Sequence, residues 1–182
     1  MKLRDLVEEN NYVTDKFTSH QYLNTYDALL SPLSNSVKNV LEIGIQRGES
    51  LLLWKDLFVN ANIFGADIDL SPLTIDKTQP RISVSGGNAY DLNFIKTNYS
   101  NVKFDVLIDD GPHTLESMLF FVTYYSSLMT PGAVMVIEDI PVFEWTKSIS
   151  NSLPAALKGK GQAVDLRHIN NRWDDIMFVV KS

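Results

Sequence analysis

The chain has 182 residues, no cysteine and a net charge of −6, with a pI near 5.0. This length suits one domain with an adequate hydrophobic core, and the lack of cysteine excludes disulfides and cysteine-based zinc sites. The acidic balance argues against a nucleic-acid or anionic-membrane binder, because such proteins need a basic face. The charged amino-terminal stretch is unlike a signal peptide, and no apolar run approaches the roughly 20 residues of a membrane span. We therefore expect a cytoplasmic protein.

The predicted elements alternate between strand and helix along most of the chain. A short helix is expected within residues 1–18 and another over 19–31, where apolar residues recur at helical spacing. The strands that follow are predicted at Val37–Ile43, Asn62–Asp67, Arg81–Ser85, Val106–Ile108, Ala133–Ile137, Gln162–His168 and Asp175–Val180, with helices at about 49–58, 91–99, 114–128 and 141–157. Such alternation predicts an α/β fold with a doubly wound, mostly parallel, seven-stranded sheet. The last connection is too short for a parallel crossover, so we expect the final strand to run antiparallel as part of a hairpin.

A glycine turn follows the first predicted strand. Gly44 and Gly48 lie between that strand and a helix. Glycine lets the backbone approach a ligand closely, and a helix amino terminus can meet a carboxylate or a phosphate. The third glycine of the dinucleotide fingerprint is missing, which disfavours an NAD-dependent oxidoreductase. A tight turn without any ligand is the alternative reading.

Polar residues also follow the second and third predicted strands. Asp67, with Asp69 two residues later, can accept hydrogen bonds from the two hydroxyls of a ribose. Asn88 offers both an acceptor and donors, which suit an adenine edge. The alternatives are a helix cap or a solvated turn for the aspartates and an ordinary polar turn for Asn88.

Carboxylates follow the fourth and fifth predicted strands. Asp109 and Asp110 follow one of them, and Glu138 and Asp139 follow the other. Ligands bind at the carboxyl ends of strands in open α/β sheets, and neighbouring strands lie about 4.8 Å apart. If the two strands are neighbours, their carboxylates can converge on a hard divalent cation such as Mg²⁺, which prefers oxygen ligands. The alternative is that these residues are solvated or cap a helix, as Asp109 can do.

His113 lies just after the first of these acidic pairs. An unperturbed histidine titrates near pH 6.5, which suits a general base. A bound cation lowers the pKa of a hydroxyl and orients it, and a histidine can then take the proton. A polar loop residue without a catalytic role is the alternative.

Together these features resemble the class I S-adenosylmethionine-dependent methyltransferases, from about Val37 to Val180. The resemblance implies a Rossmann-like methyltransferase domain over residues 37–182, preceded by an amino-terminal helical segment over 1–36. It implies that the cofactor is S-adenosylmethionine, with Glu42 and Gly44 at its methionine part, Asp67 at the ribose, and Asn88 with Ala89 at the adenine. The full set of implied cofactor-binding residues is Glu42, Gly44, Gly48, Asp67, Asn88, Ala89 and Asp109, where Asp109 either faces the cofactor's amino group or holds the turn.

The run Ile108-Asp-Asp-Gly-Pro-His113, followed by Val136-Ile-Glu-Asp139, is similar to the metal-dependent sugar O-methyltransferases of macrolide biosynthesis and to the cephalosporin hydroxylase-like group. The family more often has serine where Pro112 stands. Catechol O-methyltransferase is similar in layout but has a lysine where His113 stands. The resemblance implies Mg²⁺ or another hard divalent cation bound by Asp110, Glu138 and Asp139, His113 as the catalytic base, and a small hydroxylated acceptor, a sugar or glycoside.

Several segments are candidates for the acceptor pocket. We expect it to come from the amino-terminal segment, residues 141–157, residues 170–174 or a neighbouring subunit of a homo-oligomer. Phe143, Trp145 and Trp173 either form its floor or, as we favour, are core or partner-facing aromatics. His20 and His168 are expected to be structural. The competing functions are a metal-independent or catechol-type methyltransferase and a non-catalytic cofactor-binding or interaction protein of the same fold.

Overall fold

The computed structural model describes residues 2–10, 12 and 14–182. Its strands are β1 Asn39–Ile43, β2 Asn62–Asp67, β3 Ile82–Gly86, β4 Phe104–Asp109, β5 Met129–Ile137, β6 Gly161–Asp165 and β7 Ile176–Lys181. Its α-helices are α1 Leu3–Asn10, α2 Asp15–Thr18, α3 Leu23–Leu30, α4 Glu49–Leu57, α5 Leu92–Tyr99, α6 Leu115–Tyr124, α7 Trp145–Ser152 and α8 Arg167–Asn170. Short 3₁₀ turns occupy Ser31–Leu33, Tyr125–Leu128 and Ala155–Leu157. No helix within the described residues is long and apolar enough to cross a membrane.

The strands form one seven-stranded sheet with the order β3-β2-β1-β4-β5-β7-β6. The first five strands in this order pair in parallel, and β7 pairs antiparallel with both β5 and β6. The predicted α/β class, the mostly parallel sheet and the terminal hairpin are therefore confirmed. The strand order reverses between β1 and β4, and a ligand crevice opens at such a switch point in folds of this type.

Two apolar clusters cover the two faces of the sheet. On one face, Val106 and Val136 pack with Trp54 of α4 and with residues of α1 and α3. On the other face, Leu107 packs with Phe121 of α6 and with residues of α5 and α7. Successive side chains of a strand point to opposite faces, so the central strands are apolar on both sides and the helices lie in two layers.

The amino-terminal helices are part of the first cluster. Leu3, Tyr26 and Leu30 are fully buried there together with strand residues such as Val106. The backbone amide of Leu3 also donates a hydrogen bond to Asp27 Oδ1 at 2.9 Å. These helices therefore pack directly against the face of the sheet that the first cluster covers, over β1 and β4.

Some predicted bounds differ from the structure. The strand predicted over Gln162–His168 ends at Asp165, because this aspartate accepts hydrogen bonds from Arg167 and the chain turns into α8, which carries His168. Strand β5 begins at Met129, before the predicted start at Ala133, and so contains a proline and a glycine. The register between β5 and β4 shifts near Phe104, and this irregularity accommodates the two residues. The amino-terminal stretch forms two helices rather than one, and residues 1, 11 and 13 lie outside the described part.

Candidate active site

A cavity of about 590 Å³ opens at the switch point of the sheet. This is the size range of small-molecule sites in proteins. Of the predicted cofactor-binding residues, Gly44, Gly48, Asp67, Asn88 and Ala89 line it. Asp110 and His113 line it as well, together with residues 14–16 and 18 of the amino-terminal segment.

The glycine turn after β1 is shaped by close contact with the loop after β4. Gly44 has a φ of +83°, and a Cβ at this position would lie 1.8 Å from the carbonyl oxygen of Asp110. Gly48, just before α4, has a φ of +84°. Both positions therefore require glycine, and the turn leaves the amino terminus of α4 open to the cavity.

Asp67 closes this turn from the end of β2. The backbone amides of Ile45 and Gln46 both donate to its Oδ2 at 2.9 Å. Asp69 instead accepts hydrogen bonds from the backbone amide and the hydroxyl of Ser71, and it does not line the cavity. Between these two aspartates, the geometry thus favours Asp67 as the ribose ligand.

The loop after β3 carries the predicted adenine residues. Asn88 Oδ1 accepts a hydrogen bond from the backbone amide of Tyr90 at 3.0 Å, and the carbonyl of Ala89 accepts one from the Tyr125 hydroxyl at 2.7 Å. The Tyr90 hydroxyl donates to Asp109. The loop is therefore held by a hydrogen bond from Tyr125 and by its own Tyr90, which bonds to Asp109; both tyrosines pack in the second apolar cluster.

Two predicted cofactor residues do not line the cavity. Glu42 is fully buried and accepts hydrogen bonds from Ser50 Oγ at 2.6 Å and Trp54 Nε1 at 3.0 Å, and burial raises its pKa. Asp109 is also buried, and desolvation raises its pKa to about 7 even though it accepts a hydrogen bond from Tyr90. Both carboxylates lie behind the cavity wall, and their contact with a cofactor stays a prediction.

The predicted metal ligands and base lie close together. Because β4 and β5 are neighbours, with Asp109 paired to Ile137, the residues just after them are brought side by side. Ligand atoms of Asp110, His113 and Asp139 all lie within 4.8 Å of one another. His113 Nε2 is 3.2 Å from Asp110 Oδ1 and 3.8 Å from Asp139 Oδ2.

The electrostatics of this group follow from its burial. Burial alone would lower the pKa of His113, but the hydrogen bond to Asp110 and the surrounding carboxylates raise it above the usual histidine value. Burial raises the pKa of Asp139. Both residues adopt positive φ angles, +53° and +52°, which is uncommon for residues other than glycine and often accompanies function.

Lys16 is a residue of this site that sequence reasoning missed. Its side chain is 2% exposed, and its ammonium contacts Glu138 Oε2, lies 2.6 Å from Asp110 Oδ2 and 3.1 Å from Glu42 Oε1. Burial would lower the pKa of Lys16, but these carboxylates raise it well above the usual lysine value. The residue sits on the four-residue helix α2, in a polar stretch where no local pattern indicates a buried cation.

Other amino-terminal side chains bind the same carboxylates. The Tyr26 hydroxyl donates to Glu138 Oε1 at 2.8 Å, and the Tyr22 hydroxyl donates to Asp139 Oδ1. His20 was expected to be only structural, yet its Nε2 lies 3.3 Å from Asp139 Oδ2. The segment before β1 therefore forms one side of the carboxylate cluster.

The remaining candidates lie away from the cavity. His168 is exposed on α8. Trp145 is partly buried against the second apolar cluster, and Phe143 and Trp173 are 39% and 65% exposed. Within the described residues, none of these three aromatics lines the cavity. Their role at a partner surface stays a prediction.

Comparisons with known proteins place this geometry in context. No family model matches the chain. It is 31% identical to demethylmacrocin O-methyltransferase of Streptomyces fradiae over 181 residues, which cover 92% of this chain and 43% of that protein. It is also 31% identical to mycinamicin VI 2''-O-methyltransferase of Micromonospora griseorubida over 153 residues, covering 78% of this chain and 37% of that protein. The chain is a relative of these sugar O-methyltransferases.

The fold comparison agrees with this relationship. A structure of MycE, a methyltransferase of mycinamycin biosynthesis in complex with Mg, SAH and mycinamycin VI, superposes with a TM-score of 0.73 at 25% identity, covering 100% of this chain and 54% of MycE. The family resemblance inferred from the sequence motifs is confirmed. The chain spans less than half the length of the curated relatives that it matches.

Proposed function

We propose that this chain is an S-adenosylmethionine-dependent, divalent-metal-assisted O-methyltransferase that acts on a hydroxyl of a small molecule, a sugar or glycoside. The observation that carries the proposal is the meeting of Asp110, His113 and Asp139 at the edge of the switch-point cavity. The relatives named above are O-methyltransferases of demethylmacrocin and of mycinamicin VI, and two further relatives are named as O-methyltransferases of a rhamnosyl and an olivosyl compound, which supports a glycoside acceptor here.

The cavity suits the proposed cofactor. Asp67 presents a carboxylate fixed by two backbone amides, which suits the vicinal hydroxyls of a ribose. Gly48 and Glu49, at the amino terminus of α4, line the cavity, so the methionine part can approach the end of this helix. Asn88 and Ala89, which follow β3, line the cavity, which supports the adenine position proposed for this loop.

The carboxylate cluster suits a hard divalent cation. Mg²⁺ prefers carboxylate and water oxygens, and the predicted ligands are Asp110, Glu138 and Asp139. A bound Mg²⁺ would lower the pKa of the acceptor hydroxyl and orient it. Asp110 lines the cavity, so such an ion would lie next to the space that the reactants share.

His113 is suited to act as the general base. Its side chain is 37% exposed and lines the cavity, while Asp110 and Asp139 stabilise its protonated form. In the proposed reaction the imidazole of His113 takes the hydroxyl proton of the acceptor. The acceptor oxygen then forms a bond to the methyl carbon as the carbon–sulfur bond of the sulfonium breaks, and the electron pair stays on the sulfur of S-adenosylhomocysteine.

One observation favours a second candidate function. The ammonium of Lys16 already neutralises part of the carboxylate cluster. A metal-independent methyltransferase of the same fold, which uses this ammonium in place of a divalent ion, is therefore the alternative. Cytoplasmic location, a homo-oligomeric state and the exclusion of nucleic acid stay predictions.

The deciding experiment is a calorimetric titration of S-adenosylhomocysteine into the protein, with Mg²⁺ and then with a chelator, followed by methyl-transfer assays with glycosides. We expect binding under both conditions and methyl transfer that requires the metal. Methyl transfer in the presence of chelator would favour the metal-independent alternative. Absence of binding under both conditions would refute the methyltransferase proposal.

A further inference from the structure

We propose that Lys16 is a built-in counter-cation that divides the carboxylate cluster in two and confines a divalent ion to Asp110 and Asp139, on the side of His113. This inference rests on the proposed function, because it concerns where the proposed metal binds. It changes the predicted ligand set, since Glu138 then bonds to Lys16 instead of the metal.

The first argument is the position of the ammonium. Oxygens of Glu42, Asp110 and Glu138 lie within 4.8 Å of one another, a spacing that can hold a cation. The Lys16 ammonium lies among these three carboxylates and contacts each of them. A divalent ion in the same place would have to displace it, because Mg²⁺ binds its ligands at only about 2.1 Å.

The second argument is that Glu138 has both carboxylate oxygens engaged. Oε1 accepts a hydrogen bond from the Tyr26 hydroxyl, and Oε2 contacts Lys16. The residue is 1% exposed, whereas Asp110 lines the cavity. Glu138 is therefore oriented by the amino-terminal segment, on the side away from the cavity.

The third argument is that the other half of the cluster has carboxylate oxygens that face a shared space. Asp110 uses Oδ2 to contact Lys16 and directs Oδ1 towards His113. Asp139 accepts the Tyr22 hydroxyl at Oδ1, and its Oδ2 lies near His20 and His113. Asp110, His113 and Asp139 form a separate group whose ligand atoms have metal-ligand spacing. The proposed divalent ion would bind at this group while Lys16 remains in place.

The test measures Mn²⁺ binding by electron paramagnetic resonance, with Mn²⁺ as a probe for the metal site. Lys16→Gln removes the ammonium, and Lys77→Gln, at an exposed site that does not line the cavity, is the control with the same charge change. We expect Lys16→Gln to bind Mn²⁺ at least about tenfold more tightly, because a competing positive charge has been removed and Glu138 is released. Adding Glu138→Gln to Lys16→Gln should abolish most of this increase.

A measurement in the presence of Lys16 provides the complementary result. Glu138→Gln alone should change the Mn²⁺ affinity by less than about threefold, because this residue does not bind the ion while Lys16 holds it. A tenfold loss in this variant would make Glu138 a ligand and would overturn the proposal. Equal Mn²⁺ affinity in the wild type and Lys16→Gln would overturn it as well.

Three measurements keep these outcomes distinguishable from one another. If Lys16→Gln does not fold, the Glu138→Gln measurement still decides the matter, because it is made with Lys16 in place. In a folded Lys16→Gln, Mg²⁺ should raise the melting temperature more than it does in the wild type, by mass action on the tighter site. Titration of S-adenosylhomocysteine tests the proposed function separately, since a failure to bind it would leave the Mn²⁺ comparison unaffected.

Discussion

His20 and Asp175 form a hydrogen bond of 2.6 Å between Nδ1 and Oδ1, although 155 residues separate them in the chain. Asp175 is fully buried, and the ring of His20 stacks on Tyr22. The other ring nitrogen of His20 lies 3.3 Å from Asp139 Oδ2. Asp175 therefore orients His20, and His20 together with Tyr22 fixes the carboxylate of Asp139. Partners of this kind orient metal ligands in many proteins.

The first prediction follows from this arrangement. Asp175→Asn should weaken Mn²⁺ binding by about tenfold or more, because loss of an outer-shell partner typically costs this much in metal affinity. The measurement is Mn²⁺ titration followed by electron paramagnetic resonance. Asp165→Asn, which breaks an ion pair with Arg167 on the surface, is the control and should leave the affinity unchanged. Equal affinities in both variants would remove the role assigned to Asp175.

The second prediction concerns His113. His113→Ala should lower turnover by roughly 10²–10⁴-fold, the usual contribution of a general base, while S-adenosylhomocysteine binding stays nearly intact. His168→Ala, at an exposed site, is the control. Equal loss of turnover and cofactor binding would argue against a pure base role.

The titration of His113 in the metal-free protein provides a third prediction. Burial lowers the pKa of this imidazole, but the hydrogen bond to Asp110 and the charges of Asp110 and Asp139 raise it, so the pKa should lie above the usual histidine value of about 6.5. The measurement is the chemical shift of the His113 ring protons by NMR across the pH range, without divalent ions. Adding Mg²⁺ should lower this pKa, because an ion on the same carboxylates offsets their charge. A midpoint below pH 6.5 in the metal-free protein would contradict the prediction.

The fourth prediction separates the two aspartates near β2. Asp67→Ala should weaken S-adenosylhomocysteine binding by about 1–3 kcal/mol, because charged hydrogen bonds to a ligand are lost and the turn loses its bonds to Ile45 and Gln46. Asp69→Ala is the matched comparison, since the Asp69 carboxylate accepts hydrogen bonds from Ser71 and does not line the cavity. If Asp69→Ala has the larger effect in calorimetry, the assignment must be reversed.

The class of the sheet and the meeting of the carboxylates after β4 and β5 could be predicted because they depend on local sequence patterns. Alternation of strands and helices predicted a mostly parallel α/β sheet, whereas the strand order came only from the structure. The carboxylates after β4 and β5 were expected to converge if these strands were neighbours. The strands are neighbours, and Asp110 and Asp139 lie close together, while their role as metal ligands stays a prediction. The expected convergence needed only strand ends and the rule that ligands bind beyond them.

The other contributions to the site depend on contacts between distant segments. Lys16 lies in α2 and Tyr22 just before α3, and both contact residues more than ninety positions away, so no spacing in the sequence indicates them. Glu42 illustrates a different limit. Alternation along β1 turns it towards α4, where Ser50 and Trp54 bind it. The resemblance to a family motif picks out Glu42 as a cofactor residue, whereas the alternation of side chains along β1 decides which face of the sheet Glu42 occupies.

The fifth prediction uses two glycines with nearly the same backbone conformation. Gly44 and Gly132 have φ angles of +83° and +81°, but a Cβ on Gly132 meets no atom within 4 Å, whereas one on Gly44 lies 1.8 Å from the carbonyl oxygen of Asp110. Gly132→Ala should therefore cost only the left-handed conformation, about 1–2 kcal/mol. Gly44→Ala should cost roughly 1–3 kcal/mol more, the usual scale of overpacking.

Because the overlap pushes the loops after β1 and β4 apart, Gly44→Ala should also weaken S-adenosylhomocysteine binding, and Gly132→Ala should not. Urea denaturation and calorimetry on the two variants measure both effects, and equal stability losses would show that the loops adjust to each other without strain.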